Sequence, residues 1–326
     1  MPDLSAADPA RQPAPAPEDR PEAFSALREH RYAERDPAAA ADVIDRARDL
    51  TRALRRTLSR PPREPLDPVP ELLGRLGVTP LRYETRPRRM TFAVDAGLSF
   101  PSVPEGYGFK GGVARKALAH ALRINAYTLP VRDIDLLRTA GTDASRDAEL
   151  GERYMPDDLT LGEFGVEVLD DADTYLRTRE LTVNQVVLLG HEVTASYPAL
   201  LDTLGATLRV AHFQKQRNRG KTHPGVACKL MRFAAQMRHE GREPLIKPFR
   251  LTPREMKFPF AFYFGLHLSR AGEAGAAVAG HYLDFCRERG YVERAGLPAN
   301  GDARTCAAVL HERLREYAVD FPNLVP

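Results

Sequence analysis

Two aspartates one residue apart, Asp133 and Asp135, stand inside the apolar run VRDIDLL at residues 131–137. Val131, Ile134, Leu136 and Leu137 give this run the character of a buried strand. Side chains alternate faces along a strand, so both carboxylates are expected on one side, close together. Like charges at that separation repel, and a divalent cation relieves the repulsion. Carboxylate oxygens suit Mg2+ or Mn2+, ions that share their coordination with water and substrate phosphates. A strand with an exposed face bearing two hydrated aspartates would carry the same letters, so the run gains meaning from its neighbours.

Upstream lies YGFKGGVARKALAHAL, residues 107–122, a strand-like stretch that passes through Gly111 and Gly112 into an Ala- and Leu-rich helix. Glycines at such a turn let the backbone approach a ligand closely, and the helix start presents N–H groups and a partial positive charge, which suits phosphate. Arg115, one turn on, is placed to add a charge-assisted contact to a triphosphate oxygen. Downstream, GEFGVEVL at residues 162–169 reads as another strand with Glu163, Gly165 and Glu167 on a common face. Either glutamate could supply a third carboxylate, and Val166 and Val168, which bracket Glu167 as in a strand interior, favour Glu167. Three converging carboxylates would hold two metal ions about 3.5–4 Å apart, one activating a hydroxyl nucleophile and the other bridging a triphosphate.

The rest of the chain sets limits. Its 326 residues are 43% hydrophobic and 28% charged, with a formal net charge of +3. That composition fits one large or two modest globular domains, and the charge is too small to imply nucleic acid by itself. No apolar run approaches the roughly 18 residues of a membrane span, and the N-terminus lacks the pattern of a secretory signal, so a cytoplasmic protein without a membrane partner is expected. Cys228, Cys286 and Cys306 form no CxxC pair, which predicts buried apolar thiols.

Residues 1–60 divide into a Pro- and Ala-rich tail, expected to be disordered, and an amphipathic helix. That helix opens at Asp36 and Pro37 and repeats Val43, Ala47, Leu50, Leu54 and Leu58 on one face. A short helix near 70–76 and a strand at MTFAV, residues 90–94, follow. Beyond about residue 200 the pattern is mostly helical, with Asp302 capping a last helix whose Cys306, Leu310, Leu314 and Tyr317 share a face. HFQKQRNRGKTH, residues 212–223, mixes Lys215, Arg217, Arg219 and Lys221 with Phe213, as either a phosphate-backbone contact or a solvated loop would.

Taken in order, these elements resemble the polymerase-beta-like nucleotidyltransferases, and within them the head and neck of class II CCA-adding enzymes and bacterial poly(A) polymerases. The family's GGxxRD, DxD, EV strand, RRDFTxNA and DPxRxLRxxRFAA are met by GGVARK at 111–116, DID at 133–135, VEV at 166–168, TRELTVNQ at 178–185 and HPGVACKLMRFAAQM at 223–237. SYPALLDTLGATLRV at 196–210 is similar to the connector between the last two. The resemblance spans roughly residues 105–238.

Together with the apolar pattern on either side of that span, it leads to an expected α+β fold class: a small mixed β-sheet head with flanking helices over 61–205, then an all-helical neck and C-terminal domain over 206–326. It also implies that Gly111, Gly112 and Arg115 cradle phosphates, that Asp133, Asp135 and Glu167 are catalytic ligands of two Mg2+ or Mn2+ ions, and that Arg179, Asn184 and Arg232 line the nucleotide pocket. The implied reaction is template-independent transfer of a nucleoside monophosphate from an NTP to an RNA 3′ end, tRNA included, with release of pyrophosphate.

The sequence departs from the family pattern at several positions. Lys116 stands for an Asp, Thr178 and Glu180 for the Arg and Asp of RRD, and His223, Val226 and Lys229 for the Asp and two Arg of the neck element. No convincing EDxxR follows, and too few residues follow RFAAQM for a tRNA-gripping body and tail. These departures spare the acidic site and fall on specificity. They leave open the same chemistry on a protein or small-molecule acceptor, as in toxin-type nucleotidyltransferases, or a non-catalytic RNA-binding protein with this fold.

Overall fold

The run VVLL and the alternating EVTAS that follows it pair as a hairpin, β6 (Val186–Leu189) with β7 (Glu192–Ser196), turned by Gly190 at φ +55°. Around it the sheet is completed by β1 (Arg82–Thr85), β2 (Arg88–Ala93), β3 (Tyr107–Phe109), β4 (Leu136–Thr139) and β5 (Glu167–Leu169). The strand order is β1-β2-β7-β6-β3-β4-β5, antiparallel throughout except for the parallel pair β4 and β5. The computed structural model describes residues 37–57, 68–85, 88–94, 103–129, 131, 134–154, 166–217, 219–269 and 273–315. Asp133, Glu163, Gly165, Leu58, Tyr317 and the tail up to residue 36 lie outside the described residues.

Strand parity divides the apolar residues between two faces. Phe109, Leu136, Val186 and Leu188 face a core built with α1 (Pro37–Thr57), α2 (Pro68–Arg75), α3 (Gly111–Ala121), α4 (Asp147–Tyr154) and α6 (Tyr197–Leu204). Ala47 of α1 is fully buried there, with Val43 and Leu50 packed beside it, as the helical spacing predicts. Leu137, Leu169 and Val187 face the other way, against Tyr175 and Leu176 of α5 (Ala172–Thr178). The protein is thus a mixed α+β fold about one mixed sheet.

The C-terminal part is built from α7 (His212–Arg217), α8 (Pro224–His239), α9 (Lys257–Leu268), α10 (Glu273–Arg287), α11 (Tyr291–Arg294) and α12 (Ala303–Arg315). Its core centres on Phe233, Phe260, Phe264 and Tyr282 and also takes in Ala119, Tyr127, Leu181 and Val183 from earlier in the chain. Asp302 caps α12 by accepting the Thr305 N–H at 2.7 Å, and Cys306, Leu310 and Leu314 are buried on one face. Cys228, Cys286 and Cys306 are all free and buried.

The all-helical expectation for this part needs correction. β8 (Thr207–Leu208) pairs in parallel with β10 (Leu245–Ile246), and β9 (Lys221–Thr222) with β11 (Arg250–Leu251). Pro244, Pro248 and Pro253 forbid a helix there, so the segment runs extended beside the entry to α8. Among the described residues, no helix is long and apolar enough to cross a membrane.

One buried ion pair fixes the connector between the sheet and the C-terminal helices. Asp202 is fully buried and accepts from Arg209 at 2.7 Å and from the Thr182 hydroxyl at 2.6 Å. Both oxygens are satisfied, so truncation leaves the Arg209 charge stranded. Asp202→Ala is expected to cost about 3–5 kcal/mol in denaturant unfolding, the usual loss on breaking a buried pair from one side. A loss below about 1 kcal/mol, the range of exposed pairs, would contradict this role.

Candidate active site

β3 ends at Phe109, and Gly111 turns the chain into α3 with φ +59°, a conformation that costs other L-residues roughly 1–2 kcal/mol. A Cβ placed on Gly111 would stand 1.8 Å from Oδ2 of Asp135, so this carboxylate fills the space left by the missing side chain. Asp135 arrives there one step before β4 begins. The run VRDIDLL was expected to be strand throughout, but β3 has only three residues with which to pair it. The last rung is the Lys110 N–H donated to the Asp135 carbonyl at 2.9 Å. Lys110, the N-cap of α3, offers its helix no side-chain cap, and the first turn contains no acid. The helix start therefore gains no capping acceptor from its own chain neighbours.

Glu167 pairs with Leu137 in parallel register, which puts it on the same sheet face as Asp135, one strand over. Its two oxygens are already engaged. Lys110 Nζ donates to Oε2 at 2.7 Å, and Arg179 donates to Oε1 at 2.9 Å and to Oε2 at 3.3 Å. Burial on its own would raise the Glu167 carboxyl, but Lys110 and Arg179 hold it below the usual range. Arg179 in turn lies 3.9 Å over the Tyr175 ring.

Arg115 departs from its expected place in an open phosphate site. It is only 8% exposed, donates to Asn184 Oδ1 at 2.6 Å, and lies 4.6 Å from the Phe233 ring centroid and 5.6 Å from that of Tyr127. Its terminal nitrogen would still be 3.9 Å from a Cβ on Gly112, so the guanidinium curls back toward the glycine corner. Burial pulls its pKa down, while Asp135 and Glu180 hold it up and Arg232 lowers it. Its Nε is buried without a hydrogen-bond partner. One neutral acceptor and two ring faces, the latter worth about 0.5–2 kcal/mol each, do not offset the several kcal/mol of burying a charge. The Asp135 and Glu180 carboxylates nearby add to its compensation.

Asn184 passes the network on by donating to Glu180 at 3.2 Å, and Glu180 is paired with Lys229 of α8. Residues 180 and 229, far apart in the sequence, thus meet in space. Burial would raise the Glu180 carboxyl, yet Lys229, a backbone N–H and Arg179 bring it down to about 2. A carboxyl more acidic folded than unfolded contributes stability that is complete above its ordinary 4.5 and lost as pH falls toward about 2. Glu180→Gln is expected to flatten the acid side of the stability curve across that interval, read from urea midpoints at a series of pH values. A slope equal to wild type would contradict the pairing.

The loop that follows α3 is tied to the end of α8. Glu240, at the end of α8, accepts the N–H groups of Tyr127 at 3.0 Å and Leu129 at 3.3 Å, anchoring the loop that leads toward the aspartates. His223 caps the start of α8, accepting the Gly225 N–H at 3.1 Å. Gly111, Gly112, Arg115, Asp135, Glu167, Arg179, Asn184 and Arg232 are thereby brought around the start of α3. Among the described residues, no three His, Cys, Asp or Glu side chains converge as a metal set. Sequence reasoning missed Lys110, although a lysine directly before Gly-Gly was visible. The chain matches no family model, no curated protein and no solved structure.

Proposed function

We propose that this protein is a metal-dependent, template-independent nucleotidyltransferase that moves a nucleoside monophosphate from an NTP to an RNA 3′ end, on a fold arranged like the head and neck of the polymerase-beta-like enzymes. The observation that carries the reading is the Asp135 carboxylate lodged against Gly111 at the start of α3. A hard carboxylate donor beside helix N–H groups fits a divalent cation shared with phosphate. Asp133 and Asp135 would hold the Mg2+ or Mn2+, which supplies charge neutralisation to the triphosphate and acidity to the attacking hydroxyl.

The other side chains divide the work by charge. Gly111 makes room for the Asp135 carboxylate and Gly112 opens α3, whose first N–H groups would take the phosphates, and the buried Arg115 supports that end of the site. Glu167 holds the Lys110 and Arg179 cations in place for the triphosphate, a use of both its oxygens that sets it apart from Asp135 as a metal ligand. Asn184, Glu180 and Lys229 connect this floor to α8, which carries Arg232. The protein positions in-line attack and neutralises charge, which is what phosphoryl chemistry mainly requires.

The test is incubation of the full chain with each α-labelled NTP, Mg2+ or Mn2+, and a total RNA pool. Label in RNA supports the reading, label in protein changes the acceptor, and no transfer with any NTP contradicts it.

A further inference from the structure

The parallel pairing of β9 with β11 joins basic residues that are far apart in sequence. Arg250 lies opposite Lys221, and both are exposed while Thr222 beside them is buried. Arg219 and Arg254, also exposed, extend the surface at either end, and Lys257 adds a half-buried cation at the first position of α9. The Arg254 charge is felt by His223, which places it beside the start of α8. Among the described residues, none of these five cations enters a salt bridge. The acid within this stretch, Glu255, is used locally, accepting the Phe258 N–H at 3.2 Å. Two large aromatics, Phe213 at 36% and Phe258 at 49% exposure, lie on the helices α7 and α9 that border the strand pair.

A cationic strip lined with exposed rings suits a single nucleic-acid strand, whose phosphates follow the charge while unpaired bases stack on the rings. The strip is also close to the candidate active site. α8 begins two residues past β9, so Lys229 and Arg232 lie roughly 8 and 12 Å along its axis at about 1.5 Å per residue.

We propose that the surface formed by Arg219, Lys221, Arg250, Arg254 and Lys257 binds the backbone of a single-stranded RNA segment and leads its 3′ end toward the glycine corner. The destination rests on the nucleotidyltransferase reading; the binding does not.

The experiment is fluorescence anisotropy of a labelled single-stranded RNA oligonucleotide with the full chain, without NTP, at several salt concentrations. Wild type is expected to bind with an affinity that falls by a slope of about 0.7 per phosphate contact in log–log form. The double variant R250E/R254E, checked for folding by its thermal transition, is expected to bind at least about tenfold more weakly, with the slope reduced by about 1.4. If that variant does not fold, K221E on the neighbouring strand carries the same expectation with a reduction of about 0.7. A folded variant that binds like wild type would overturn the proposal. So would a wild-type protein that ignores RNA and binds polyglutamate or only duplex. Because no NTP is present, failure of transfer chemistry leaves this result intact.

Discussion

Gly111→Ala is expected to abolish nucleotidyl transfer and lower stability together. The residue sits at φ +59°, and its new Cβ would be 1.8 Å from Asp135 Oδ2. No rotation of alanine relieves that contact, so the carboxylate or the whole α3 start has to move. Left-handed strain of about 1–2 kcal/mol and an overpacking penalty of about 1–3 kcal/mol place the total near 2–5 kcal/mol in denaturant unfolding. Gly141→Ala separates the two components. Gly141 has φ +86°, and a Cβ there would meet nothing within 4 Å, so it carries backbone strain alone and is expected to keep transfer activity. Equal activity in the two variants would remove the special status of the Gly111 corner.

Asp135→Asn carries the second large effect. Asparagine keeps the volume that fills the Gly111 gap, and the bond from the Lys110 N–H to the residue 135 carbonyl is unaffected by the side chain. Only the charge is lost. If that carboxylate holds a cation that stabilises the transferring phosphoryl group, losing several kcal/mol of that stabilisation lowers the rate about a thousandfold or more. Stability is expected to stay within about 1 kcal/mol of wild type, as for a near-isosteric change. Transfer within a few-fold of wild type would sink the assigned role. The pair of variants also discriminates cause: the glycine substitution moves the carboxylate, while the asparagine leaves it in place without its charge.

Much of the fold was legible where local chemistry decides. The strand-to-helix turn at Gly111 and Gly112, the helix carrying Ala47, and the last helix capped by Asp302 all follow from turn residues, caps and apolar spacing. The VRDIDLL strand was longer in the sequence than in the fold, because strand length is set by the partner, and β3 has only three residues. The short parallel pairs near α8 escaped for the same reason: two residues of strand have no period to read.

The site was legible as a set of residues and illegible as a set of roles. Spacing put Asp133 with Asp135, and Glu163 with Glu167, on one face of their own strands, but it could not show that Lys110 and Arg179 claim Glu167. Nor could it show that Arg115 turns inward between Phe233 and Tyr127, since those contacts join residues far apart in the chain. The Glu180 and Lys229 pair is another such case, joining residues 49 apart in the chain.

Binding of Mn2+ followed by electron paramagnetic resonance, in the presence of an NTP, addresses the carboxylate at Gly111 most directly. The wild-type chain is predicted to quench the free-ion signal as the metal–nucleotide complex binds, and D135N to leave that signal largely unchanged. Identical quenching by the two proteins would contradict the account.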